Sequence, residues 1–208
     1  MIAGFGDAAL LLPASVGVLA LLLWSGARSE ALAFAAALAV CLGTTVLAKL
    51  ALQACGSGAT PPALQSPSGH ASFAAVFYGC AALIVGAGRP AWQRLGLLAA
   101  ACLLVLLVAL SRVHHRAHTP AEVAVGLLIG AASVLLFLRL RGAGPPAVLP
   151  LRPMMLGAIV ALALFQGRHL SAEHGIRDFA QGMGASLELC RPAAWTAAMA
   201  PQASAWPR

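Results

Sequence analysis

Charge is what this chain has least of. Only 9% of its 208 residues are charged, while 61% are hydrophobic. A soluble domain carries roughly 25% charged residues, so this chain has too few to wet the surface of a globule. An ordinary soluble enzyme is excluded, and an integral membrane protein is implied. Lysine is nearly missing: Lys49 stands alone, and every other strongly basic residue is arginine. Cysteine offers no metal framework. None of the five cysteines forms a CxxC or a Cys/His pair at ligand spacing. Cys41, Cys80 and Cys102 lie inside apolar runs and read as small packing residues. The start, "MIAGFGD", has no basic segment before its first apolar run, so that run reads as a retained span rather than a cleaved signal. There is no internal repeat and no sign of a second soluble domain. The net charge of +7 would suggest nucleic acid in a soluble protein. Beside membrane spans, basic residues are the ordinary topology signal, and no nucleic-acid partner is expected.

What is present is a series of long apolar runs. Crossing a hydrocarbon core takes ~20 residues of helix. About six runs approach that length: Ala8–Trp24, Ala31–Gln53, Ala71–Gly88, Leu95–Ser111, Ala121–Leu140 and Pro153–Gly167. The first and last are short. The links between them are short and carry breakers, so neighbouring helices should run antiparallel. The expectation is an all-α integral membrane bundle of about six transmembrane helices over 1–169. A tail over 170–208 follows, with 170–189 able to lie as an amphipathic segment at the interface. Six spans put both termini on one side. The short loops of the other side carry Arg28, Arg89, Arg94, Arg139, Arg141 and Arg152 against the single acid Glu30. That excess marks them as cytoplasmic. The termini then face the exterior, which is the periplasm for a bacterial inner-membrane protein.

The polar residues fall on this map in a pattern. Lys49 lies near the end of the second run. Ser68, Gly69 and His70 open the third, Ser111 and Arg112 end the fourth, and His118 and Glu122 open the fifth. In an alternating bundle these four ends share one membrane face. Each residue has a plain structural reading. Lys49 can snorkel to the headgroups, Ser68 can cap a helix, and Arg112 can anchor at the interface. "TPAE", Thr119 to Glu122, reads as a capping box with proline at the first helical position. These readings do not explain the one-sided clustering or the two histidines within it. Ionisable groups at membrane depth are expensive and usually functional. Lysine and arginine supply charge-assisted hydrogen bonds to phosphate oxygens. The open amides of a helix start form an anion site. One histidine can attack phosphorus while the other protonates the departing oxygen. Glu122, four residues after His118, can hold that ring in the useful tautomer.

"PSGH" (Pro67 to His70) and "SRVHHRAHTPAE" (Ser111 to Glu122) resemble two signatures of the type-2 phosphatidic acid phosphatase superfamily, which includes the vanadium haloperoxidases. The family's third signature is Ser-Arg-x5-His-x3-Asp, which Ser111, Arg112, His118 and Glu122 follow except that glutamate replaces aspartate. The resemblance covers about 49–130. It implies that Lys49 and Arg112 bind phosphate oxygens, helped by Ser68 and the Gly69 amide. It implies His118 as the nucleophile forming a phosphohistidine, His70 as the general acid, and Glu122 as the residue orienting His118. It implies no metal and no cofactor. The implied substrate is a lipid phosphate or pyrophosphate entering from the bilayer. Undecaprenyl pyrophosphate leads on the external site and small size, followed by phosphatidylglycerol phosphate, phosphatidate and a lipid A phosphate. The oligomeric state is left open.

Two positions depart from the family pattern. The first signature, Lys-x6-Arg-Pro, keeps its lysine at Lys49 but has Gly56 and Ser57 where arginine and proline are expected. A lost hydrogen bond to a charged group costs roughly 1.5–3 kcal/mol. Arg116, in the loop before His118, is the candidate to supply that charge. Glu122 adds a methylene, and its two roles, cap and histidine partner, call for separate oxygens. His114 and His115 read as a wet polar loop, and His169 and His174 as non-catalytic tail residues. Cys55 and Cys190 share the exterior side, where a disulfide is permitted. The rival reading is a non-catalytic lipid-phosphate binder or transport partner that has lost turnover.

Overall fold

The computed structural model describes residues 2–53, 64–142, 176, 178–180 and 182. Among them lie a short 3-10 helix, Ile2–Gly6, and five α-helices: α1 (Ala8–Trp24), α2 (Arg28–Gln53), α3 (Gly69–Gly86), α4 (Ala91–His114) and α5 (Pro120–Leu140). No strand occurs among the described residues. The run Pro153–Gly167, Gly56, Ser57, Cys55, Cys190, His169, His174 and most of the tail lie outside the described residues.

Four of the five helices, α2 to α5, are long and apolar enough to cross a membrane, and α1 is a shorter apolar helix. At 1.5 Å per residue, the 26 residues of α2 reach about 39 Å, which spans a ~30 Å core with room to spare. The 17 residues of α1 reach only about 25 Å. Two helices begin three or four residues before their apolar runs. α2 starts at Arg28 instead of Ala31, and α4 at Ala91 instead of Leu95 and runs on to His114. Polar residues can extend a helix past the hydrocarbon, so hydropathy alone places those starts too late.

Local chemistry fixes the ends. Asp7 caps α1, its Oδ1 accepting from Ala9 N at 2.9 Å. α1 closes in a Schellman turn: Gly26 takes φ 78, Gly26 N bonds Leu23 O at 3.1 Å, and Ala27 N bonds Leu22 O at 2.9 Å. Ser68 caps α3. Thr119 and Glu122 form the expected capping box on α5, with Pro120 in the first turn.

Helix α3 is the centre of the bundle and packs against α1, α2, α4, α5 and the 3-10 helix. Its interior partners include Phe34, Ala37 and Cys41 of α2 and Phe137 of α5, all buried. α5 approaches α3 through Gly126 and Gly130. A Cβ on Gly126 would lie 2.5 Å from Ser68 O, and one on Gly130 would lie 2.5 Å from Ala75 Cβ and 2.7 Å from Ser72 O. This is the small-residue contact by which membrane helices approach closely. α4 packs one edge on α3 and exposes Leu95, Leu103, Leu106 and Leu110, the surface expected of a helix facing lipid. At the bundle end remote from His118, Arg141 after α5 pairs with buried Glu30 of α2 at 3.4 Å. α2 and α5 therefore run antiparallel, as the short links required.

Candidate active site

The helix ends opposite the Glu30–Arg141 pair carry the polar cluster. Lys49 is buried in the last turns of α2. Its Cε would lie 3.9 Å from a Cβ on Gly69, so the lysine stem runs beside the start of α3. Ser68 is fully buried there, and its Oγ accepts from Ala71 N at 3.4 Å. The hydroxyl proton is not used in that bond, so Ser68 can still donate. Ser68 N itself donates to Glu122 O at 3.0 Å, which ties the start of α3 to the first turn of α5.

Glu122 is the hub. Its Oε2 lies 3.0 Å from His118 Nδ1 and accepts from Thr119 N at 3.1 Å. Its Oε1 accepts from Gln65 N at 2.9 Å and Ser66 N at 2.7 Å. The expectation of separate oxygens for cap and histidine is therefore corrected. One oxygen serves both, and the other clasps two amides of the loop leading into α3. Both side chains are nearly fully buried, His118 at 4% and Glu122 at 8% exposure. With Nδ1 donating to the carboxylate, His118 Nε2 keeps its lone pair. The extra methylene of glutamate has a use here, since the carboxylate must reach both its own helix cap and a loop more than fifty residues away in sequence.

Arg112 is brought to His118 by the backbone. Its carbonyl accepts from Ala117 N at 3.0 Å and His118 N at 3.4 Å, folding the loop back on the end of α4. Its Nε is buried and has no hydrogen-bond partner among the described residues. A buried guanidinium N–H without a partner is costly, and an oxyanion is the natural acceptor for it. Arg116 sits in that loop at φ 53, a left-handed conformation, and its side chain is exposed. His114 and His115 are exposed and stack edge to face at 5.4 Å.

The folded chain thus joins Lys49 to Gly69, Ser68 to Glu122, Glu122 to His118, and His118 to Arg112. His70 follows in the first turn of α3, half-buried. Its Nε2 lies 3.7 Å from Asp7 Oδ2. Residue spacing missed Asp7. It also missed the Gln65 and Ser66 amides, because backbone donors leave no mark in residue identity. Among the described residues no group of three or more His, Cys, Asp or Glu could hold a metal ion.

A family model described as the PAP2 superfamily matches residues 30–144, more than half of the chain and all of the helix-end cluster except Asp7. No curated protein and no solved structure matches it. The matched segment holds the four long apolar helices. Members of that family are phosphatases and hydrolases, which gives the site a phosphatase role in general terms. The chain is therefore a membrane protein belonging to the PAP2 superfamily.

Proposed function

We propose that the chain hydrolyses a lipid phosphate or pyrophosphate through a phosphohistidine on His118. The observation that carries this reading is the buried contact of 3.0 Å between His118 Nδ1 and Glu122 Oε2, set beside the α3 start that Ser68 N ties to Glu122. Binding an anion needs no oriented imidazole, and a nucleophile does.

In this mechanism Lys49, Arg112, Ser68 and the Gly69 amide hold the phosphate oxygens. His118 Nε2 attacks phosphorus. As the P–O bond breaks, His70 gives its proton to the departing oxygen. Water then cleaves the P–N bond, and His70 takes the proton from that water. Glu122 holds the His118 ring through both steps. The chemistry is metal-independent. Arg116 is the candidate for the positive charge missing at Gly56, reaching the phosphate from the α4–α5 loop. The site faces the exterior leaflet of a bacterial inner membrane, on the periplasmic side, and the lipid enters from the bilayer. Undecaprenyl pyrophosphate is the lead substrate.

Phosphate release from purified protein in EDTA, on a panel of lipid phosphates and pyrophosphates, tests this. Release that continues in EDTA and vanishes in His118→Ala is the expected result. A strict Mg²⁺ requirement, or full activity in His118→Ala, would sink the mechanism. Gly56 favours the rival reading, a binder without turnover. Retained lipid binding with no release on any substrate would establish it.

A further inference from the structure

The N-terminal segment reaches into the cluster at one point. The 3-10 helix Ile2–Gly6 packs against both α3 and α4. Three features fix its position. Tyr78 Oη donates to Phe5 O at 2.8 Å. Gly6 lies so close to α3 and α4 that a Cβ there would fall 2.7 Å from Val108 Cγ1 and 3.2 Å from both Cβ and O of His70. Asp7 follows at once, 3% exposed. Its two oxygens have different tasks. Oδ1 caps α1 through Ala9 N at 2.9 Å, and Oδ2 faces His70 Nε2 at 3.7 Å.

Capping alone does not explain this arrangement. Serine or asparagine caps a helix as well as aspartate does, and neither carries a charge into the interior. A buried carboxylate is costly unless it is paired and hydrogen-bonded. One pairing partner here is the histidine beside the phosphate-binding turn. The distance is that of an ion pair rather than a hydrogen bond. The contact is largely shielded from solvent on the aspartate side, where the side chain is 4% exposed, so water screens it less than a surface pair.

We propose that Asp7 is a positioning residue for His70. Its carboxylate fixes the orientation of the imidazole and compensates positive charge on the ring, so that the proton is held ready for the departing oxygen. This rests on the reading of His70 as the general acid. The consequence depends on the leaving group. An alkoxide leaving from an alkyl phosphate must be protonated as the P–O bond breaks. A nitrophenolate leaves without that help. Loss of Asp7 therefore harms the first reaction far more than the second.

The test uses the full chain in detergent, with dodecyl phosphate and 4-nitrophenyl phosphate as substrates. Asp7→Asn and Asp7→Ser both keep a capping oxygen and remove the charge. General acid catalysis contributes about 10²–10⁴-fold. Misplacing the acid should lower kcat on dodecyl phosphate at least about tenfold, with KM little changed and the loss on the nitrophenyl ester under about threefold. Ring ¹⁵N shifts of His70, assigned with His70→Gln, should move in Asp7→Asn while those of His118 stay. Equal losses on both substrates, no loss on either, or unmoved His70 shifts would overturn the proposal. If His118→Ala is then silent on both substrates, the phosphohistidine reading stands without it. A wild-type chain silent on both substrates overturns this proposal, and the phosphohistidine reading is then decided by the pyrophosphates of the panel.

Discussion

Glu122→Gln isolates the hub of the site. It keeps the length and shape of the side chain and removes the charge. In the wild-type chain all four contacts bring N–H groups to the carboxylate: Gln65 and Ser66 on Oε1, Thr119 and His118 on Oε2. A glutamine offers one accepting oxygen and one NH₂ donor. Either way round, the NH₂ faces two donors and two accepted bonds are lost. Hydrogen bonds to a charged group are worth roughly 1.5–3 kcal/mol each. Two lost bonds would sum to about 3–6 kcal/mol, but members of one network do not add. The combined loss is therefore about 3 kcal/mol, near the low end. If the NH₂ turns to the loop, the clasp on Gln65 and Ser66 opens and stability falls. If it turns to His118, the ring loses the acceptor that fixes Nδ1 as donor. At 1.36 kcal/mol per decade, kcat then drops about a hundredfold. The assay is steady-state phosphate release, with kcat and KM resolved separately, beside thermal unfolding in detergent. The expected result is a fall of about a hundredfold in kcat, KM changed less than about threefold, and a lower Tm. Glu122→Asp keeps the charge but loses a methylene of reach. It can serve His118 or the loop amides, and should fall between the two. Wild-type kcat and Tm in Glu122→Gln would refute the argument.

Gly126→Ala places a methyl 2.5 Å from Ser68 O. The carbonyl must shift, and overpacking of this kind costs about 1–3 kcal/mol, so both Tm and kcat should fall; unchanged values would show that α5 does not set the position of the α3 start. Arg112→Lys keeps a charge but removes the planar fork and the unpartnered Nε. Its KM should rise about ten- to a hundredfold, the equivalent of one lost charged hydrogen bond, and a KM equal to wild type would take that N–H out of phosphate binding. Arg116→Gly relieves a left-handed φ of 53 while removing the exposed charge. Tm should hold and KM should rise, and an unchanged KM would remove Arg116 as the substitute for the charge missing at Gly56.

Much of the site was legible because its contacts are local. His118 and Glu122 are four residues apart across the start of α5, so spacing already set them close together. Thr119, Pro120 and Glu122 announce the start of α5 in the same way. Lys49, the α3 start and Arg112 could be placed on one face because short links force antiparallel helices. The shared oxygen of Glu122 was not legible. Its other partners are the amides of Gln65 and Ser66, which any residue type at those positions would supply.

By itself the sequence determined the solvent of this protein, its helical class and the chemistry of its helix ends. Too few charges exist to face water, and the apolar runs have the length of a bilayer crossing. Tertiary structure decided which distant groups meet. Asp7 reaches His70 because the Ile2–Gly6 helix docks on α3 and α4, where Gly6 leaves no Cβ in the way. Glu122 reaches the loop before α3 because Gly126 lets the backbones of α3 and α5 come together. Residue spacing fixes neighbours on one helix. The approach of two helices depends on which side chains are absent between them, and only the folded bundle reveals that.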